Sequence, residues 1–117
     1  DLAGTIAKYS IIQNARLYRA HIAVAVSSAP VTRVVAAQAA DEVLNIIGID
    51  TSFVLYPDGD RVIVSARSIG EVNVQVILEK LGGGGNAAAA GGQIPDKSLT
   101  QVAQELAQAI DQYLEDE

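Results

Sequence analysis

The sequence predicts an α/β fold in which helices flank a mixed β-sheet. Three observations carry that expectation. Apolar residues recur at helical spacing in several separate segments, short β-branched runs lie between them, and Gly, Pro, Asn and Asp mark most junctions. With 117 residues, 50% of them apolar, the chain has the size of one domain that can bury a core without cross-links.

From Asp1 to Arg19, Ile6, Tyr9, Ile12 and Arg16 follow a helical spacing without an evident N-cap, so residues 1–20 are expected to form a connecting helix from an upstream domain. His21 to Ser27 sets Ile22, Val24 and Val26 against Ala23 and Ala25. Apolar on both sides, it reads as a central strand. Ser28, Ala29 and Pro30 form a loop. The stripe Val35, Ala36, Ala39, Ala40, Val43, Leu44 and Ile47 then predicts a helix over 32–47, ended by Gly48.

Ser52–Tyr56 and Arg61–Ala66 are strand-like runs joined by the turn residues Pro57, Asp58, Gly59 and Asp60, and predict a β-hairpin. Asn73 is placed to cap a helix carrying Val74, Ile77, Leu78 and Leu81 on one side, with Gly82 at its C-terminal end. A Gly and Ala tract follows, with a short strand expected at Gln93 and Ile94. Ser98 and Gln101 have capping-box spacing ahead of a last helix whose stripe is Leu99, Val102, Leu106, Ile110 and Tyr113. The acidic end Glu115, Asp116 and Glu117 sits at that helix's negative pole and is expected to fray. Without the outer helices, the order matches the βαββαβ arrangement of split βαβ domains.

Composition removes several classes of function. There is no Cys, hence no disulfide, thiolate metal site or thiol nucleophile. A net charge of −6, no Trp and a single Phe argue against binding long nucleic acid. No apolar stretch reaches the roughly 20 residues of a membrane span and no signal peptide is evident, so a cytoplasmic location is expected. His21 is the only His, and Asp58 and Asp60 read as solvated turn carboxylates. Neither a metal site nor a catalytic residue is expected within the chain.

Two segments remain as candidates for chemistry. Gly82 to Gly85 are four consecutive glycines, costly to order unless a close approach or a positive φ demands them. Successive amides of such a turn can bind an anion, although the same composition also describes a flexible linker. The Lys and Ser/Thr of a Walker loop are absent. The second segment is Ser65-Ala66-Arg67-Ser68. Strand alternation puts Ser65 and Arg67 on one face, and the Arg67 fork suits phosphate oxygens, against the commoner reading of a solvated Arg.

Ser65-Ala66-Arg67-Ser68, then Gly70-Glu71-Val72-Asn73-Val74 and Gly83-Gly84-Gly85-Asn86, resemble the signature of DHHA1 domains, in which the triple Gly is usually followed by His. Within that group the chain resembles the cyclic-di-AMP phosphodiesterases of the GdpP type, through Asn73 to Ile77 and Gly82 to Gln93, and over most of its length. The resemblance implies a DHHA1 domain over 21–117 that binds substrate for a separate upstream DHH domain, which holds two manganese ions and performs the hydrolysis. It further implies that Ser65, Arg67 and Ser68 contact phosphate and that Gly83, Gly84 and Gly85 let the backbone approach it. Asn86 stands where the family carries His, and brings no positive charge. The ligand so implied is a cyclic dinucleotide or a short linear one, and a homodimer is compatible with it. Two other functions stay open: a relative that degrades short RNA or phosphoadenosine phosphate, and a non-catalytic interaction or dimerisation module that uses the Gly and Ala tract.

Overall fold

The Asp1 carboxylate accepts a hydrogen bond from the Gly4 amide at 2.7 Å and caps α1, Leu2–Gln13, so the N-cap that was not evident in the sequence is the first residue. This computed structural model describes every residue from Asp1 to Glu117. The expected connecting helix over 1–20 is corrected here. The helix stops at Gln13, Asn14 closes it, and Arg16–Arg19 forms a strand, β1, antiparallel to β2, Ile22–Val26. All four β1 residues are exposed, which is why periodicity does not reveal the strand. Besides its pairing with β2, it makes a contact that is remote in sequence. The Tyr18 hydroxyl donates to the Asp111 carboxylate at 2.9 Å, and Arg19 Nη1 donates to the same group at 2.9 Å.

Thr32 caps α2, Arg33–Val43, by accepting from the Val35 amide at 3.1 Å. Val35, Ala36, Ala39, Ala40 and Val43 are buried as expected, but the helix ends at Val43 and Ile47 is fully exposed, at 100%. The apolar stripe runs on in sequence through a turn whose Gly48 has φ 90°. The hairpin is longer than expected, with β3 over Thr51–Asp58 and β4 over Arg61–Ser68 in register from Thr51 opposite Ser68 to Asp58 opposite Arg61.

Asn73 caps α3, Val74–Glu79, through its side-chain oxygen, and Gly82 follows with φ 86°. Gly84–Gly85 forms β5 and Ala89–Pro95 forms β6, a seven-residue strand where only Gln93 and Ile94 were expected. Ser98 and Gln101 close a capping box on α4, which runs over Leu99–Asp116, almost to the chain end where fraying was expected.

The strands form one mixed sheet in the order β1-β2-β3-β4-β6-β5, with β2 parallel to β3 across the α2 crossover. The α/β expectation holds. α3 and α4 cover one face, where Phe53, Leu55, Val64, Ile77, Leu106 and Ile110 are buried together. α1 and α2 cover part of the other, where Ile11, Ala36, Ala39, Val54 and Tyr56 pack. No helix is long and apolar enough to cross a membrane.

Candidate functional site

Strand alternation sends Ile63, Ser65 and Arg67 of β4 to the α2 side of the sheet, opposite Gln93, Gly91 and Ala89 of β6. α1 and α2 pack over β2, β3 and β4 and leave this face of β6 and β5 open. The result is a trough of ≈ 760 Å³. Its floor is Ser65, Gly91 and Gly84, and its wall is the first half of α2. A volume of this size suits a small organic ligand, within the roughly 300–1,000 Å³ range of such sites.

Arg67 is fixed at one end. Its Nε pairs with Asp41 of α2 at 3.3 Å and its Nη1 donates to the Ala66 carbonyl at 2.8 Å, so the guanidinium plane is held while its remaining N–H groups stay available. With the Arg67 side chain at 24% relative exposure and Asp41 at 62%, this pair contributes only about 0–1 kcal/mol to the fold. Its consequence is orientation.

The glycine tract is an ordered hairpin, and its members are glycine for different reasons. A Cβ on Gly83 would strike the Gly91 carbonyl oxygen and come within 3.0 Å of Gly92 Cα. Gly85 has φ 146°, and a Cβ there would come within 2.6 Å of Ala90 Cα. Both are demanded by the neighbouring strand. Gly84 is not: its φ lies outside the left-handed range and a Cβ there would meet nothing within 4 Å. Because Gly84 pairs with Gly91, that vacant position faces the trough. The fold itself therefore gives no reason for glycine at this one place.

Not all of the sequence-predicted residues meet. Ser65, Arg67, Gly83, Gly84 and Gly85 line the trough. Ser68 does not, since alternation turns it to the opposite face, where it is buried and its hydroxyl accepts from the Gly70 amide at 3.3 Å. The Asn86 side chain is not part of the lining either. Its Oδ1 accepts from the Ala88 and Ala89 amides, each at 2.9 Å, and so holds the β5–β6 turn. Sequence reasoning missed Arg33, Val34 and Ala37 of α2 and Tyr56 of β3, which form the far end of the trough. Tyr56 is buried, which pushes its phenol pKa up, while the Arg33 charge pulls it down and Asp58 pushes it up.

No three His, Asp or Glu side chains converge as metal ligands. The His21 ring is engaged instead with the Gly48 carbonyl, 3.0 Å from Nδ1. The chain's residues do not fit a two-manganese centre.

A family model described as the DHHA1 domain matches residues 20–116 of the chain. The chain belongs to the DHHA1 domain family. It is 48% identical over 81 residues, 68% of its length, to the cyclic-di-AMP phosphodiesterase PdeA of Listeria monocytogenes, of which it covers 12%. To the cyclic-di-AMP phosphodiesterase GdpP of Bacillus subtilis it is 40% identical over 117 residues, covering 94% of this chain and 18% of that protein. This DHHA1 chain thus spans less than a fifth of the length of these relatives. Among solved structures, an exopolyphosphatase-related protein from Bacteroides fragilis superposes at TM-score 0.84 with 18% identity, covering 97% of this chain and 35% of that one. That likeness concerns the fold.

Proposed function

We propose that this DHHA1 domain grips a phosphate of an adenine dinucleotide on behalf of a manganese-dependent phosphodiesterase that opens cyclic-di-AMP to the linear dinucleotide. The observation that carries the reading is the pairing of an oriented Arg67 with a Gly84 that the fold does not require to be glycine. A missing side chain lets ligand atoms come close to the strand, and a fixed guanidinium gives them a charge-assisted partner without an ordering cost at the moment of binding. The similarity to the Listeria and Bacillus enzymes supports the choice of substrate.

In this reading the chain binds and orients, and hydrolysis belongs to a separate DHH domain that holds the manganese. Arg67 and Ser65 take the phosphate oxygens, and Val34 and Ala37 offer an apolar wall to the nucleoside. The test is hydrolysis of cyclic and linear diadenylate by the longer parent protein, with and without Arg67→Ala. Preference for the cyclic substrate, with a markedly raised KM in the variant, supports the proposal. Unchanged kinetics for both substrates would overturn it. By itself this chain should hydrolyse no cyclic-di-AMP even with excess manganese, and turnover abolished by a chelator would contradict that.

A further inference from the structure

Arg33 is a second cation in the trough, and the chain offers it no carboxylate. The ion pairs engage Lys8, Arg19, Arg61, Arg67 and Lys97, and Arg33 is in none of them. It occupies the first position of α2, after the Thr32 cap, in a first turn without any acidic residue. The helix dipole opposes a positive side chain there, so the stability of α2 does not ask for it. Arg33 is thus an exposed guanidinium without an ion-pair partner, at the unfavourable end of a helix in a chain of net charge −6.

Its place in the trough follows from the direction of α2. Asp41 meets Arg67, and the Ala40 carbonyl accepts from the Ser52 hydroxyl at 2.7 Å, with Ser52 directly opposite Arg67 in the sheet. α2 therefore runs alongside β4 in the same sense, and Arg33 precedes Asp41 by about 12 Å of helix, at ~1.5 Å per residue. That matches the distance along β4 from Arg67 back to Ile63, about 13 Å at ~3.3 Å per residue. Arg33 stands at the Tyr56 and Ile63 end, where its charge acts on the Tyr56 phenol. The trough has a cation at each end, and small residues, Ser65 and Gly91, floor the space between.

We infer that Arg33 is a specificity-determining residue that receives the second phosphate of a dinucleotide whose first phosphate lies on Arg67, so that the site selects two-phosphate ligands over mononucleotides. The inference rests on the reading of the trough as a phosphate site. A mononucleotide reaches one end only. A dinucleotide, with a nucleoside between its phosphates, can engage both.

The test is calorimetric titration of the full chain with 5′-phosphorylated linear diadenylate and with adenosine monophosphate. The quantity read is the ratio of the two affinities. Arg33→Gln should lower that ratio about ten-fold, the scale of one charge-assisted hydrogen bond, with an unchanged thermal melt. Arg33→Lys should restore part of it, which a loss of folding could not imitate. Arg67→Gln should weaken both ligands together and hold the ratio within about two-fold. A ratio unmoved by Arg33→Gln, while Arg67→Gln weakens binding, overturns this inference alone. Affinities untouched by Arg67→Gln, or no binding by the parent chain, overturn the phosphate-site reading with it.

Discussion

Replacing single glycines of the tract separates what the fold needs from what a ligand needs. At Gly84 a methyl group has no atom within 4 Å and the backbone is not in the left-handed region, so Gly84→Ala loses nothing in packing. It also restricts the unfolded chain, a gain of about 0.4–1 kcal/mol. At Gly83 the same methyl meets the Gly91 carbonyl oxygen and, at 3.0 Å, Gly92 Cα; both are backbone atoms of a paired strand that cannot step aside. Overpacking of that kind costs about 1–3 kcal/mol. At roughly 4 °C per kcal/mol for a domain of this size, Gly83→Ala should melt clearly lower than the parent. Gly84→Ala should melt at the same temperature or slightly above it. Affinity for an adenine dinucleotide should order the two variants differently. The Gly84 methyl stands on the trough floor, and excluding a closely apposed ligand by about 1.4 kcal/mol or more is a ten-fold loss. Thermal denaturation and calorimetric titration of both variants check this. A Gly84→Ala protein that binds as tightly as the parent, or that unfolds, would refute the argument that Gly84 is kept for a ligand.

Arg67→Ala should weaken phosphate binding by about 1.5–3 kcal/mol and change stability by less than about 1 kcal/mol, because its only charged partner, Asp41, is largely exposed; a melted domain with intact affinity would make Arg67 structural. Asn86→Ala removes the acceptor for the Ala88 and Ala89 amides and should cost about 1–2 kcal/mol in chemical denaturation, while Asn86→Asp keeps most of it. Unchanged stability in the alanine variant would show that the turn does not depend on that side chain. Arg33→Gln should raise the Tyr56 pKa further, since it removes the one cause that lowers it. The phenolate absorbance of Tyr56 should then appear at higher pH than in the parent. For linkage, a phenol whose folded pKa is raised contributes stability that is fully present below the unfolded value near about 10 and is lost as pH rises through the folded pKa. An unshifted titration would remove Arg33 from that end of the trough.

Elements whose causes are local were legible in the sequence. The caps Asn73 and Ser98, the β3–β4 hairpin and the stripe of α4 follow from residues close in sequence, although the turn narrows to Gly59 and Asp60 and Leu81, expected on α3, lies beyond the end of that helix at Glu79. β1 and β6 were not legible to the same degree. Arg16–Arg19 is exposed throughout and is extended by its pairing with β2, with Tyr18 and Arg19 reaching Asp111, while Ala89–Pro95 is poor in β-branched residues and owes its extended form to pairing with β4. The end of α2 was misplaced because apolar residues continue through a turn in which nothing buries Ile47.

The site divides along the same line. A period of two puts Ser65 and Arg67 on one face of β4 and turns Ser68 to the other, whereas the resemblance groups all three. The glycine tract is conspicuous in composition, but only the register of β5 and β6 shows which of its members the backbone requires. Arg33 carries no motif. Its place in the trough depends on how α2 lies over β4, which no local pattern records.

The most direct test of the central claim is an amide chemical-shift titration of this chain with a linear or cyclic adenine dinucleotide. The account predicts that the perturbed amides cluster at Ser65, Arg67, Gly83 to Gly85 and Gly91, with a second group at Arg33 and Val34, while the α4 and β1 amides stay still. Perturbations confined to the α4 side of the sheet, or none at saturating dinucleotide, would contradict it.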